Sequence, residues 1–274
     1  MAVRAVFLDF VGTLAFVEPD VGTVYADVAR AFGLNLDAAA VERAFAQVFP
    51  RRSPLAFPRD WPDDTRRAAE FAWWRAVVAD TLRACGVPIV ARGEQRTANS
   101  EQPVSNKRTA SCGSLFAVRY SPFAPRDPFE AYFAALYETF ATPAVWRLDP
   151  AALEVLKTLR QKGLRVGVIS NFDSRLPVLL ERLGLTPWLD VIVYSSAVGA
   201  AKPEVGIFLE ACRQAGVAPA EALHVGDDPE LDYWGARRAG LHARWRVHDD
   251  TPPISDIPAA DRLRDLLVLG QSEF

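Results

Sequence analysis

The chain has 274 residues, half of them hydrophobic, which is enough for one large hydrophobic core and a second smaller one. Its net charge of −3 provides no basic field for nucleic acid, and no stretch approaches the roughly 18 apolar residues needed to cross a membrane. We therefore expect no nucleic-acid or membrane partner, and either two domains or one domain with a large insert.

The cysteines and the first residues of the chain bear on the cellular compartment. Cys85, Cys112 and Cys212 are odd in number, widely spaced and without a CxxC pair, which indicates neither a disulfide framework nor a zinc site. The chain begins with a strand-like run instead of a signal-peptide pattern, which favours the cytoplasm. For the oligomeric state, both a monomer and a homodimer remain open.

The first predicted element is a buried strand at residues 3–8 that ends at Asp9 and a tight loop. In open α/β sheets ligands bind at the carboxyl ends of strands, so this carboxylate can reach a substrate as a nucleophile or hold a cation. The alternative is a strand-ending Asp satisfied by its own turn. Gly12 lets backbone amides approach an anion, and Thr13 either orients Asp9 or, as we favour, caps the next segment.

A long helical stretch follows the first strand. Between two of its segments, residues 91–119 are polar and lack periodicity, so we expect a disordered insert there, with Cys112 as an exposed bystander. Trp73, Trp74 and Arg75 could contact a ligand, although aromatics at helical spacing are more often core. Apolar residues recur at helical spacing, with no convincing strand between them, at residues 21–32, 38–49, 63–85 and 128–141.

After residue 143, helices and short strands alternate, which is typical of parallel βαβ units. The first strand most simply joins this later sheet. The sequence therefore predicts an α/β fold with a doubly wound, parallel-sheet (Rossmann-like) core of residues 1–14 and 145–274, and an inserted all-helical cap domain, residues 15–144, above the active edge. The strands are predicted at 165–170, 190–195, 222–226 and 242–247, and the helices at 150–162, 173–183, 203–215 and 229–239.

Two further segments carry side chains suited to binding an anion. Ser170 and Asn171 end a buried strand shortly before a helix, where a hydroxyl and main-chain amides can hold a phosphate oxygen; an ordinary helix cap at Ser170 or Asp173 is the alternative. Lys202 is one of only four lysines among 31 basic residues. Its compact ammonium suits a phosphoryl group and nearby carboxylates better than the planar fork of arginine, whereas the alternative is a surface lysine at a helix start.

The strand predicted at 222–226 is followed by two acids. Asp228 precedes a proline and is explained as a helix N-cap, whereas Asp227 has no such explanation. Asp9 and Asp227, from separate strand tips, together with a carbonyl and waters, offer the hard oxygen ligands that Mg²⁺ prefers.

Two further residues lie on this strand and in the segment after it. Asp232 can brace Lys202 or the metal shell, or simply face solvent. His224 lies on the strand itself, and we expect it to belong to the core rather than to bind a ligand.

Taken together, these segments resemble the four motifs of the haloacid dehalogenase (HAD) superfamily in order, spacing and interrupted first strand. The motifs are Asp9 with Gly12-Thr13-Leu14, Ser170-Asn171, Lys202-Pro203, and Gly226-Asp227-Asp228 followed by Asp232. The resemblance covers residues 1–14 and 145 to about 250, and the helical stretch matches the branch with a cap inserted after the first motif (subfamily I). It implies Asp9 as nucleophile, Ser170 and Lys202 as holders of the transferred group, and Mg²⁺ bound by Asp9, the Val11 main-chain carbonyl and Asp227.

One position departs from the family pattern. Phosphatases of this superfamily usually carry a second Asp two residues after the nucleophile, where this chain has Val11. That Asp protonates the leaving alcohol, which raises the reaction rate by roughly 10²- to 10⁴-fold. An acid near the start of the helical stretch, Glu18 or Asp20, could replace it. The metal site is unaffected in principle, because the family uses the backbone oxygen at this position.

Three functions remain open. The first, which we favour, is a Mg²⁺-dependent phosphatase for a small phosphorylated molecule with a good leaving group, or with a borrowed acid. The second is a metal-independent 2-haloacid dehalogenase; Val11 replaces its usual aromatic residue, and Asp227 would be idle in it. Its substrate carboxylate would require an arginine such as Arg43, Arg51 or Arg52. The third is a catalytically weak binding or regulatory protein that keeps the phosphate pocket.

Overall fold

A parallel six-stranded sheet forms the centre of the computed structural model, which describes residues 2–89, 128–247, 257, 259–260 and 262–267. Its strands lie in the order β5-β4-β1-β6-β7-β8. The insert expected at 91–119, with Cys112, lies outside the described residues. In chain order the strands are β1 (Ala5–Leu8), β2 (Ala15–Val17), β3 (Trp146–Leu148), β4 (Arg165–Ser170), β5 (Val191–Tyr194), β6 (Ala222–Gly226), β7 (His242–Arg246) and β8 (Ala259–Ala260).

Strand β1 lies in the middle of this sheet, far along the chain from its neighbours. Phe7 is in register with Gly167 of β4 on one side and with His224 of β6 on the other. All four residues of β1 are buried, as expected for a strand covered on both faces. The predicted α/β fold with a parallel, Rossmann-like sheet is therefore confirmed.

Helices cover both faces of the sheet. Val6 and Leu8 of β1 pack into one core cluster with residues of α5 and α6, whereas Ala5 and Phe7 pack into another with residues of α8 and α9. The helices are α1 (Val21–Arg30), α2 (Ala38–Val48), α3 (Asp63–Ala84), α4 (Pro128–Thr139), α5 (Ala152–Gln161), α6 (Leu176–Arg182), α7 (Ser195–Val198), α8 (Val205–Ala215) and α9 (Gly235–Arg238), the last preceded by a π-helical segment, Pro229–Trp234.

Helix α6 begins three residues later than the helix predicted at 173. Its N-cap is Arg175, not Asp173, whose carboxylate accepts hydrogen bonds from the Arg175 guanidinium and the Trp74 indole. The alternative interpretation of Asp173 as a helix cap is therefore wrong. By contrast, Asp228 caps the segment after β6, as predicted, by accepting from the backbone N–H groups of Glu230 and Leu231 at 2.8 and 2.7 Å.

A two-stranded antiparallel ribbon joins the sheet to helices α1–α4, which we call the helical insert. Strand β2 pairs with β3, with Ala15 opposite Leu148. The expectation of a stretch without strands from residue 15 is therefore wrong at its start. Three residues are too few to show a strand pattern, and the partner strand lies beyond the whole helical insert.

The helical insert has a hydrophobic cluster of its own. Tyr25, Val41, Leu82 and Phe133, one from each helix, are buried there and pack together with further apolar residues. The longest of these helices, α3, carries many charged residues. Among the described residues, no helix has both the length and the apolar character needed to span a membrane.

Candidate active site

The side chains at the carboxyl ends of three strands meet at one edge of the sheet. Asp9 directly follows β1, Ser170 is the last residue of β4, and Asp227 directly follows β6. Because β1 lies between β4 and β6, its tip is flanked by the other two. The backbone N–H of Asp9 donates to the carbonyl of Val225 at 2.9 Å, which anchors the tip of β1 to β6.

Lys202 joins Asp9, at the tip of β1, to Asp232 on the π-helical segment after β6. Its Nζ donates to Asp9 Oδ1 and to Asp232 Oδ1, each at 2.6 Å, and its side chain is buried. The alternative of a surface lysine is therefore wrong. Burial alone would lower the pKa of Lys202, but the charges of Asp232 and Asp9 outweigh it and raise the pKa above its ordinary value, so the ammonium stays charged.

Asn171 positions the backbone of Lys202. Its Nδ2 donates to the Lys202 carbonyl at 2.9 Å, and its Oδ1 accepts from the Lys202 backbone N–H at 2.7 Å. This two-bond pairing uses both ends of the amide, so Asn171 acts on the site through Lys202. Ser170, one residue earlier, is buried and lines the same cavity as Asp9.

Asp232 is the most heavily bonded acid of the site. Besides Lys202, it accepts from the backbone N–H of Asp228 at 3.1 Å and contacts His224 Nε2 at 2.8 Å. Burial would raise its pKa, but Lys202 and His224 outweigh this and lower the pKa below its usual range. The expected contact with Lys202 is present, and the alternative of a solvent-facing Asp232 is wrong.

His224 has a role that sequence reasoning missed. It lies in the core, as expected, but its ring also contacts Asp232. Burial lowers the pKa of His224, so the imidazole is neutral and its Nε2–H donates to Asp232. A single histidine within an apolar strand gives no sign of this contact, because its partner lies on the π-helical segment that follows.

Carboxylate oxygens of Asp9, Asp227 and Asp232 all lie within 4.8 Å of one another. Burial raises the pKa of Asp9 to about 7, with Asp232 and Asp227 adding to the effect and Lys202 opposing it. Burial, reinforced by Asp232, also raises the pKa of Asp227 to about 6. The buried carboxylate of Asp9 and the half-buried carboxylate of Asp227 form a hard oxygen donor set of the kind that fits Mg²⁺. Asp232 is less available, because its oxygens already accept several hydrogen bonds.

The loop after Asp9 packs directly against Asp227. Gly12 has a φ of +86°, and a Cβ there would lie 2.3 Å from Asp227 Oδ2, so both the backbone conformation and the close approach require glycine. The Thr13 hydroxyl donates to Asp227 Oδ1 at 3.2 Å. Our expectations that it orients Asp9 or caps the next segment are therefore wrong: Thr13 orients Asp227.

Val11 lines the same cavity as Asp9, and 39% of its surface is exposed. Glu18 forms an ion pair with Arg147 at 3.1 Å, and Asp20 caps helix α1 by accepting from the backbone N–H of Thr23. Neither acid is among the described residues that line the cavity. The structure therefore does not bring either proposed substitute to the site.

A cavity of about 500 Å³ lies between the strand tips and the helical insert. Of the three arginines considered for a substrate carboxylate, only Arg52 lines it, and Arg52 forms an ion pair with Asp80. Trp73 and Trp74 line the cavity, and Trp74 also packs against the core of the helical insert, whereas Arg75 pairs with Glu130. Aromatic residues dominate its walls: Tyr25, Phe45, Phe49, Trp73, Trp74, Phe133, Tyr137, Phe140, Trp146 and Phe172.

Comparison with known proteins identifies the family of the chain. The family model described as haloacid dehalogenase-like hydrolase matches residues 3–240. A mouse (Mus musculus) protein, haloacid dehalogenase-like hydrolase domain-containing protein 3, is 33% identical over 245 residues, covering 89% of this chain and 81% of the mouse protein. A glyceraldehyde 3-phosphate phosphatase from Methanopyrus kandleri is 36% identical over 126 residues, covering 43% of this chain and 54% of the phosphatase.

Solved structures of HAD-like proteins have the same fold as this chain. A HAD phosphatase from Thermococcus onnurineus matches with a TM-score of 0.57 and 22% identity, covering 97% of this chain and 98% of that one. A 2-haloacid dehalogenase from Pseudomonas syringae matches with a TM-score of 0.55 and 20% identity, covering 97% of this chain and 95% of that one. The fold is thus common to both reaction classes. With a family model that matches most of its length, the chain belongs to the haloacid dehalogenase-like hydrolases.

Proposed function

We propose that this hydrolase is a Mg²⁺-dependent phosphatase for a small phosphorylated molecule, with Asp9 as the nucleophile. The observation that carries the proposal is the close approach of the Asp9 and Asp227 carboxylates beside the charged ammonium of Lys202. Bound there, Mg²⁺ would neutralise negative charge between the acids and the phosphoryl group. Asp9, Asp227 and the main-chain carbonyl of Val11 would hold it.

Each residue of the site has a separate role in the proposed reaction. An Asp9 carboxylate oxygen attacks phosphorus, a new P–O bond forms, and the P–O bond to the leaving group breaks with its electron pair. Lys202 and the Ser170 hydroxyl hold the transferred group. Asn171 positions Lys202, and Thr13 positions Asp227. Water then attacks the aspartyl phosphate, which frees Asp9 and inorganic phosphate.

The leaving group receives no proton from residue 11, because valine has none to give. It therefore departs as an anion or takes its proton from water. Such a site favours substrates whose leaving group is already stable as an anion.

We propose further that residues 15–144 form a cap over a core of residues 1–14 and 145–274. Glu70 of α3 is buried and accepts from the Ser196 hydroxyl at 2.6 Å and from the Ser174 hydroxyl. Trp74 of the same helix donates to Asp173 Oδ2 at 2.6 Å. These contacts hold the helical insert against the loops beside the strand tips, where it limits the access of water to the cavity.

Phosphate release from p-nitrophenyl phosphate tests the proposal. We expect turnover that requires Mg²⁺, stops when the metal is chelated, and falls by at least about 10³-fold in Asp9→Asn. Asp27→Asn is the matched control, because Asp27 is exposed on helix α1 and forms an ion pair with Arg30 of the same helix.

Three results would contradict the proposal. Phosphate release that persists in Asp9→Asn would exclude Asp9 as the nucleophile. Halide release from 2-chloropropionate without metal would instead indicate the dehalogenase. If neither reaction occurs but a phosphorylated ligand raises the melting temperature, the protein binds phosphate without turnover.

A further inference from the structure

Many of the residues that line the cavity together with Asp9 are aromatic. Phe49 stacks on Trp74 with ring centroids 5.8 Å apart, and Trp73 packs edge-on against both of them. Trp146 and Phe172 also line the cavity, and their rings pack against each other. A flat apolar group binds favourably to a wall of this kind, because it stacks on the rings and removes apolar surface from water.

Two polar side chains of the cavity lining, Arg175 and Trp73, already have hydrogen-bond partners. Arg175 donates to Asp173 through two nitrogens and to the Tyr137 carbonyl, and its guanidinium lies 3.7 Å from the centre of the Tyr137 ring. The Trp73 indole donates to the Ser53 carbonyl at 3.0 Å. A sugar entering this space would exchange hydrogen bonds with water for few partners in the protein, which disfavours polyhydroxylated substrates.

Val11 gives an independent reason for the same kind of substrate. Without a proton from residue 11, the rate depends on how stable the leaving group is as an anion. The hydroxyl of a phenol has a pKa of about 10, as in a tyrosine side chain, whereas a simple alcohol lies nearer to water at about 15.7. A phenolate therefore leaves far more readily than an alkoxide.

Resting on the phosphatase function above, we propose that the site acts on aryl phosphates, in which phosphate is esterified to a phenol-like hydroxyl. The ring occupies the aromatic cavity, and the phosphoryl group lies at Asp9 and Lys202. Asp9 forms the new bond to phosphorus, the ester bond breaks, and the phenolate carries away the electron pair. Water completes the reaction by releasing phosphate from Asp9.

Four substrates separate the effect of the ring from the effect of the leaving group. Phenyl phosphate and benzyl phosphate both carry a ring, but only the first has an acidic leaving group. Acetyl phosphate and ethyl phosphate are both small, and again only the first has one. With Mg²⁺, we expect a KM at least about tenfold lower for the two aromatic compounds. We expect a kcat at least about 10²-fold higher for phenyl than for benzyl phosphate.

A pair of variants tests whether the wall itself recognises the ring. Phe49 lines the cavity and Trp61 does not, yet both are 37% exposed. We expect Phe49→Leu to raise the KM for phenyl phosphate by roughly two- to tenfold, and to affect acetyl phosphate less. Trp61→Leu should leave both KM values unchanged.

The outcomes separate this inference from the function on which it rests. Equal KM values for aromatic and small phosphates, with turnover intact, would overturn the aryl phosphate assignment and leave the phosphatase standing. An unchanged KM for phenyl phosphate in Phe49→Leu would also overturn it. No metal-dependent turnover of any of the four compounds would overturn both.

Discussion

Charge balance around Lys202 determines what the site can hold. When Asp9, Asp227 and Asp232 are all ionised, their three negative charges face one ammonium and leave a deficit of two positive charges. The pKa values of Asp9 and Asp227, raised to about 7 and about 6, reflect this deficit together with burial. A single divalent cation removes the deficit and favours the ionised Asp9 that attack on phosphorus requires.

The first prediction concerns Val11, the position of the missing acid. We expect Val11→Asp to raise kcat for ethyl phosphate by about 10²-fold or more, and to affect p-nitrophenyl phosphate much less, because only the alkoxide needs a proton to leave. Val11→Asn is the control, since it matches aspartate in shape but donates no acidic proton. Equal gains on both substrates would show that protonation is not the missing step.

At the scale of elements, the turns after the strands place the acids. Gly226 ends β6, and a Cβ there would lie 2.1 Å from Cγ of Asp232. The carboxylate of Asp232 therefore packs against the bare backbone of the strand, from where it reaches both Lys202 and His224. The close approach depends on glycine.

The second prediction uses this glycine. We expect Gly226→Ala to displace Asp232, weaken its hold on Lys202 and lower kcat/KM by about tenfold or more, as loss of an outer supporting contact typically does. Gly206→Ala is the control, because a Cβ there meets only Ala200 Cβ, at 3.2 Å. Kinetics and a melting curve for both variants check this. An active Gly226→Ala protein would show that Asp232 tolerates displacement.

Much of the sheet and its edge could be predicted from sequence, because alternating strands and helices show clear local periodicity. That alternation was enough to predict that Asp9, Ser170 and Asp227 end separate strands. The ribbon of β2 and β3 could not be predicted, since its strands are short and distant in sequence. Nor could the pairing of Thr13 with Asp227, because it depends on the packing of two loops.

At the scale of the whole molecule, a buried acid holds the helical insert against the sheet. Glu70 lies on α3, and its two serine donors lie on the loop after β4 and on α7. The Trp74–Asp173 bond joins the same helix to the loop after β4, and Trp74 lines the aromatic cavity. These contacts join segments that are distant in sequence, which explains why the local pattern gave no sign of them.

The third prediction tests this contact through stability. We expect Glu70→Leu to lower the free energy of unfolding by about 1–3 kcal/mol, because it leaves the buried hydroxyl of Ser196 and the partly buried hydroxyl of Ser174 without their acceptor. Glu70→Gln keeps the shape and an acceptor oxygen, so we expect a smaller loss. Thermal unfolding of both variants measures the difference. A leucine variant as stable as the original chain would show that the contact contributes nothing.

The most direct test is calorimetric titration of Mg²⁺ into the protein and into Asp9→Asn, Asp227→Asn and Asp27→Asn. We predict one ion per chain, bound at least about tenfold more weakly when residue 9 or residue 227 is changed and unaffected by the change at the exposed Asp27. Unaltered affinity in both Asp9→Asn and Asp227→Asn would contradict the shared metal site.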